Sequence, residues 1–231
     1  MNIKKHIPNT ITCGNLLCGC LGSVFAFDGD PVTATYLLWL ALLLDFFDGF
    51  AARMLHVSSP IGKELDSLAD MVTFGVLPSV IMFKLIIGYT DSPFLPYIAF
   101  MIAIFSALRL AKFNIDDRQQ TVFIGLPTPA NALFISSLIF IVDSQYTELI
   151  GLISLVAITI IFSFLLVAPL ELFSLKFKSF SWKDNRIRFT FLLISVLCII
   201  AFQVLALPFI IISYIGLSIL QQLMAGKVTS Q

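Results

Sequence analysis

A helix needs about 20 mainly apolar residues to cross the hydrocarbon layer of a bilayer, and this chain presents such a run repeatedly. Candidate spans lie at roughly 10–27, 33–54, 66–88, 94–114, 128–143, 148–169, 189–206 and 208–225, each free of charge through its middle. The breaks carry turn signals: "FDGDP", "YTDSP", "GLPTP" and "DSQYTE". Only "ALP" at 206–208 divides the last two runs, so that pair can also be read as one long kinked helix. With 58% hydrophobic and 12% charged residues, the chain has too little polar surface for a water-soluble domain. The expectation is an all-α integral membrane protein, a single bundle of about eight transmembrane helices over residues 1–231.

Lysine and arginine placement orients the bundle. Lys4 and Lys5 precede the first run, and Arg53 and Lys63 follow the second. Arg109, Lys112 and Arg118 follow the fourth, while Lys176, Lys178, Lys183, Arg186 and Arg188 follow the sixth, and Lys227 follows the last. The opposite loops carry none, and only Lys84 sits toward that side. This pattern expects both termini, and the 53–66 loop, in the cytoplasm. "MNIKK" before an apolar run also resembles a signal peptide, but the run lacks a small-x-small cleavage site and reads as a retained first helix. The basic and aromatic stretch 173–188 reads as an interfacial loop drawn to anionic lipid. A formal net charge of zero gives no case for a nucleic-acid partner. Cys13, Cys18, Cys20 and Cys198 lack metal-site spacing and read as small packing residues.

One stretch breaks the apolar pattern: "DFFDGFAARMLHVSSPIGKELDSLAD", residues 45–70. Asp45 and Asp48 share a helix face at a spacing of three, and Asp66 and Asp70 share one at a spacing of four. A short loop makes the two helices antiparallel neighbours, so the four acids can meet at the cytoplasmic end of the bundle. Four carboxylates converging there repel one another unless protonated or compensated, and the usual compensation is a hard divalent cation such as Mg2+ or Mn2+. A lone Asp at a helix end would be read as a cap or a wet surface group. Four of them beside Arg53, Gly49, Ala52 and Gly62 point instead to a bound pyrophosphate: small residues let it approach the backbone, and a guanidinium forks onto its oxygens. His56, in the loop beside them, reads as an ordinary solvated histidine.

These residues fit the pattern D-x-x-D-G-x-x-A-R-x8-G-x3-D-x3-D at every fixed position, and in this the chain resembles the CDP-alcohol phosphotransferase family. The resemblance implies two divalent metals, Mg2+ or Mn2+, held by Asp45, Asp48 and Asp66, with Asp70 as general base and a further metal contact. Gly49, Ala52, Arg53 and Gly62 would cradle the CDP portion of the donor. The segments "IPNTITCGNLLCG", "RLAKFNI" and "FIGLPTPANA" are similar to the branch that makes phosphatidylserine, and they carry the similarity over roughly the first 135 residues. That branch implies CDP-diacylglycerol and L-serine as substrates, CMP as the leaving product and a homodimer in the inner membrane.

Asn9, Thr12 and Asn15 share a face of the first helix; they are read either as lining the nucleotide site or as an N-cap with two interhelical hydrogen bonds. Arg109 and Lys112, near the cytoplasmic end of their helix, read either as positive-inside anchors or as a buried cationic pair for the serine carboxylate. Arg109 lies a turn deeper than an anchor needs, so the carboxylate role falls first to it, with Lys112 beside it and Asn114 as a supporting contact. The alternatives are another acceptor, such as glycerol 3-phosphate or inositol phosphate, an ion transporter, or a membrane scaffold. A transporter would place its acids near the bilayer midplane and would leave Arg53 and the glycines unexplained.

Overall fold

The computed structural model describes residues 6–57, 59–116, 123–172 and 182–228, and almost all of them are helical. The helices are α1 (His6–Phe27), α2 (Pro31–Met54), α3 (Pro60–Asp70), α4 (Leu77–Ile87), α5 (Met101–Ile115), α6 (Thr128–Val142), α7 (Leu152–Val167), α8 (Trp182–Phe202) and α9 (Ala206–Val228). The Lys4, Lys5, Arg118, Lys176 and Lys178 positions of the charge pattern lie outside the described residues, as does most of the 173–188 stretch.

The boundaries follow local chemistry. The Asp30 carboxylate accepts from the Thr33 amide at 2.9 Å, and Pro31 occupies the first turn of α2. That contact holds the Asp30 carboxyl below its ordinary range. Ser59 and Pro60 repeat the device at the start of α3, with the Gly62 amide donating to Ser59 Oγ at 3.0 Å. This start corrects the expected boundary at residue 66: the helix reaches back to Pro60 through the polar "GKE" turn, so Asp66 and Asp70 stand inside a helix rather than at its mouth. α3 runs through a π-helical turn, Met71–Val76, into α4, making one continuous span from Pro60 to Ile87. Such turns widen the helix by one residue per turn and occur frequently at functional sites.

Among the described residues, five helical stretches are long and apolar enough to cross a membrane: His6–Phe27, Pro31–Met54, Pro60–Ile87, Leu95–Ile115 and Phe189–Gln222. α6 and α7 are apolar but shorter. Within the last stretch the chain breaks at residues 203–205, where Gln203 takes a φ of 50°, and the Phe191 and Tyr214 rings lie 5.8 Å apart. A contact between residues that far apart in sequence requires α9 to fold back along α8.

The α3–α4 span is the axis of the bundle. Phe74, Leu77, Ile81, Met82 and Ile86 are fully buried, packed with Leu38 of α2, Ile135 of α6 and Leu155 of α7. Small residues let α1 approach it closely: a β-carbon on Gly19 would collide with Thr73 Oγ1, and one on Gly22 would stand 2.6 Å from Leu77 Cδ2. Close backbone approach of this kind is how helices gain packing energy in lipid, where burial from water contributes little. The outward side chains are mostly apolar, among them Leu17, Phe46, Phe50 and Ile104. At the far end of α1 the Phe27 carbonyl, left without a helical partner, accepts from Lys84 Nζ at 3.0 Å. A two-residue antiparallel pair, Phe123–Ile124 with Glu171–Leu172, closes the chain around the mouth of α6 and α7.

Candidate active site

α2 and α3 form a hairpin whose link between Met54 and Pro60 is too short for the helices to separate. The carboxylates of Asp45, Asp48 and Asp66 accordingly converge, with one oxygen from each lying within 4.8 Å of the others. Asp70, one turn further along α3, lies beside Asp45 and interacts with it and with Asp66. Three hard oxygen donors on two rigid helices suit a divalent cation of the Mg2+ or Mn2+ kind.

α1 braces these acids from the side. Thr12 Oγ1 donates to Asp48 Oδ2 at 2.7 Å, and Asn15 Nδ2 donates to Asp70 Oδ1 at 3.4 Å. Thr73 Oγ1 in turn donates to the Asn15 carbonyl at 3.1 Å, tying α1 to the π turn. Asn9 lies inside α1, which begins at His6, so the reading of Asn9 as an N-cap does not hold. Its Oδ1 would stand 3.1 Å from a β-carbon on Gly62. The shared face expected for Asn9, Thr12 and Asn15 is thus turned toward the hairpin.

Beside the carboxylates opens a cavity of about 270 Å3 lined by Thr12, Asp48, Gly49, Ala52, Gly62 and Asp66. Asp48 and Asp66 therefore belong both to the acidic group and to the cavity wall. Ser59 and Lys63 also line it; in the sequence Lys63 served only to orient the bundle, and Ser59 was not singled out. Their signal lay in "SSPIGK", where a capping serine and a lysine one position after Gly62 flank the backbone of a helix start. Arg53 is exposed and folds its guanidinium over Gly49, with Nη1 3.4 Å from where a β-carbon would stand. It lines a neighbouring depression with Ala52, His56 and Val57.

The expected cationic pair on α5 separates. Arg109 is buried, whereas Lys112 is exposed, because three residues along a helix at its outer end carry the side chain past the bundle rim. Arg109 Nη1 donates to Thr128 Oγ1 at 3.4 Å, its guanidinium stands 5.6 Å from the Phe113 ring centre, and it lies within electrostatic reach of Asp70. Asn114 is committed elsewhere: its side-chain Nδ2 donates to Ser67 Oγ at 2.9 Å and its main-chain carbonyl accepts from Lys63 Nζ at 3.1 Å, which fastens α5 to α3.

Residues 5–167 match the family model of the CDP-alcohol phosphatidyltransferases. The chain belongs to that family. The matched region holds every acid and every cavity residue named above and stops before α8. Among the curated members of this family, a CDP-diacylglycerol–serine O-phosphatidyltransferase of Bacillus subtilis is 42% identical over 129 residues, covering 54% of this chain and 70% of that protein. A protein of the same name from Helicobacter pylori strain J99 is 36% identical over 146 residues, or 62% of this chain and 61% of its own length. An archaetidylserine synthase of Methanothermobacter thermautotrophicus is 30% identical over 171 residues, 70% of each chain. The chain thus spans less than two thirds of the Helicobacter relative.

Proposed function

We propose that this protein transfers the phosphatidyl group of CDP-diacylglycerol to the hydroxyl of L-serine, giving phosphatidylserine and CMP. The observation that carries the reading is that Asp48 and Asp66 face two ways, into a metal-suited acid group and into a cavity floored by Gly49, Ala52 and Gly62. The names of the relatives supply the serine acceptor.

In this reading the cytidine diphosphate lies in the cavity, where the small residues admit it to the backbone and Lys63 and Arg53 offer cationic contacts to its phosphates. Asp45, Asp48 and Asp66, with Asp70 at their edge, would hold two divalent ions. Such ions, when bound, neutralise charge on the pyrophosphate oxygens. Asp70 takes the proton of the serine hydroxyl as the oxygen attacks the phosphorus that bears the lipid. The bond from that phosphorus to the CMP oxygen breaks, and CMP leaves with the electron pair. No strong nucleophile stands among the motif residues, so attack is direct, and inversion of configuration at phosphorus is the expected stereochemical outcome. Arg109 holds the serine carboxylate. The lipid enters sideways between helices, and serine and CMP exchange with the cytoplasm, on which both termini and the site open. The working form is an inner-membrane bundle of eight spans that pairs as a homodimer.

CMP release by the purified protein in detergent tests this, with CDP-diacylglycerol, Mg2+ or Mn2+, and serine, glycerol 3-phosphate or inositol phosphate offered separately. Serine-dependent release, abolished by chelation and by Asp70→Asn, supports the reading. Release with another alcohol overturns the acceptor, and the absence of release in folded, metal-loaded protein overturns the reaction.

A further inference from the structure

A second layer of polar groups lies three residues along the helices, about 4.5 Å, deeper in the bundle than Arg109. Ser106 stands three residues before Arg109 on α5, and Asn131 three residues after Thr128 on α6, so each shares a face with a partner in the Arg109–Thr128 contact. The two helices run in opposite directions from that contact, and both positions fall on its inner side. The π turn Met71–Val76 that follows Asp70 packs against both helices here, with Ser106 Cβ 3.1 Å from where a Gly75 β-carbon would stand. Ser106 and Asn131 are both 0% exposed. Yet Ser106 Oγ, both polar atoms of the Asn131 amide and Arg109 Nε find no hydrogen-bond partner among the described residues. Buried polar atoms are almost always bonded, and leaving them unpaired opposes folding. Several such atoms at one level beside the acids point to a polar ligand that pairs them.

Their chemistry selects the ligand. Arg109 Nε and the Asn131 amide nitrogen donate, as a carboxylate requires. Asn131 Oδ1 and Ser106 Oγ accept, as an ammonium requires. We propose that Asn131 and Ser106 form the inner wall of the acceptor pocket and recognise an amino acid as a zwitterion, with its hydroxyl directed outward to Asp70. This rests on the serine reading above and adds to it the residues that make an amino acid, rather than a simple alcohol or a phosphate, the acceptor.

The test compares L-serine, 3-hydroxypropanoate (no ammonium) and ethanolamine (no carboxylate) as acceptors for the wild type and Asn131→Leu, using the full chain in detergent with CDP-diacylglycerol and Mn2+. In the variant the KM for serine rises roughly tenfold to a hundredfold, the value for losing hydrogen bonds to charged groups, while that for CDP-diacylglycerol stays within about twofold. The preference for serine over 3-hydroxypropanoate shrinks in step. Thermal stability without serine is unchanged or higher, because an apolar side chain of similar size removes an unpaired buried amide. An unchanged serine KM overturns the proposal, most plainly if melting falls at the same time, since the amide then serves only the fold. Failure of the serine reading looks different: the wild type itself shows no serine-dependent CMP release, and both fall together. Ser106→Ala, which deletes the acceptor of a bond from the ammonium, carries the same comparison if the leucine variant does not fold, with a KM rise of about tenfold or more.

Discussion

Thr12→Val separates a brace from the site it braces. The substitution keeps the β-branched shape of a residue that is 4% exposed and exchanges only its hydroxyl for a methyl. It removes the hydroxyl that donates to Asp48 Oδ2 at 2.7 Å. The same hydroxyl also lies 3.0 Å from the Pro8 carbonyl, but its one proton serves one acceptor at a time, and the carboxylate is the stronger. A hydrogen bond to a charged group contributes about 1.5–3 kcal/mol, which corresponds to roughly a tenfold to 150-fold weakening of whatever the oriented carboxylate binds. Supporting groups around metal ligands give a similar range, about tenfold to a hundredfold. CMP release titrated with Mg2+ or Mn2+ is the assay. The concentration giving half-maximal rate should rise by about tenfold or more, and Thr12→Ser, which restores the hydroxyl, should return most of it. A titration curve that superimposes on the wild type would refute the claim that α1 positions Asp48.

Three further outcomes follow from the same geometry. Gly62→Ala places a methyl 3.0 Å from Ser59 Oγ and 3.1 Å from Asn9 Oδ1 in the wall of the cavity proposed for the donor; the overpacking costs about 1–3 kcal/mol, read as a CDP-diacylglycerol KM raised roughly fivefold or more. Gly19→Ala drives a methyl into Thr73, 2.9 Å from its Cα, where backbone and not a flexible tip must yield; destabilisation of about 1–3 kcal/mol should lower the melting temperature in detergent. Arg109→Gln should raise the serine KM by roughly tenfold while leaving the CDP-diacylglycerol KM nearly unchanged, because it removes a charge that lies toward Asp70 and does not line the cavity proposed for the donor.

What the sequence disclosed, it disclosed through spacing. Aspartates at three and four residues on two consecutive helices can meet only if the hairpin is tight, and the carboxylates of Asp45, Asp48 and Asp66 do meet. Helix ends were less legible. A hydropathy reading starts the third span at Asp66 because "GKE" is polar, whereas Ser59 and Pro60 start the helix six residues earlier through capping that hydropathy does not register. That Arg109 lies a turn deeper than Lys112 could be read from the chain; that the bundle rim falls between them, burying one and exposing the other, could not. The π turn at Met71–Val76 left no sequence mark beyond Gly75, and the gathering of Ser106 and Asn131 on the inner side of the Arg109–Thr128 contact depends on how α5 and α6 pair across the 24 residues that separate the two. Tertiary register of that kind is set by packing, not by any local pattern.

The link between Met54 and Pro60 has one more implication. Between Arg53 and Gly62 the family pattern leaves eight positions free in identity. The hairpin shows why their number is nonetheless tied: each residue added within the first turn of α3 would swing Asp66 and Asp70 around the helix axis by about 100° and turn them away from Asp45 and Asp48. The stretch acts as a spacer gauge. A single insertion or deletion in that turn would scatter the acids while leaving every one of them present in the sequence.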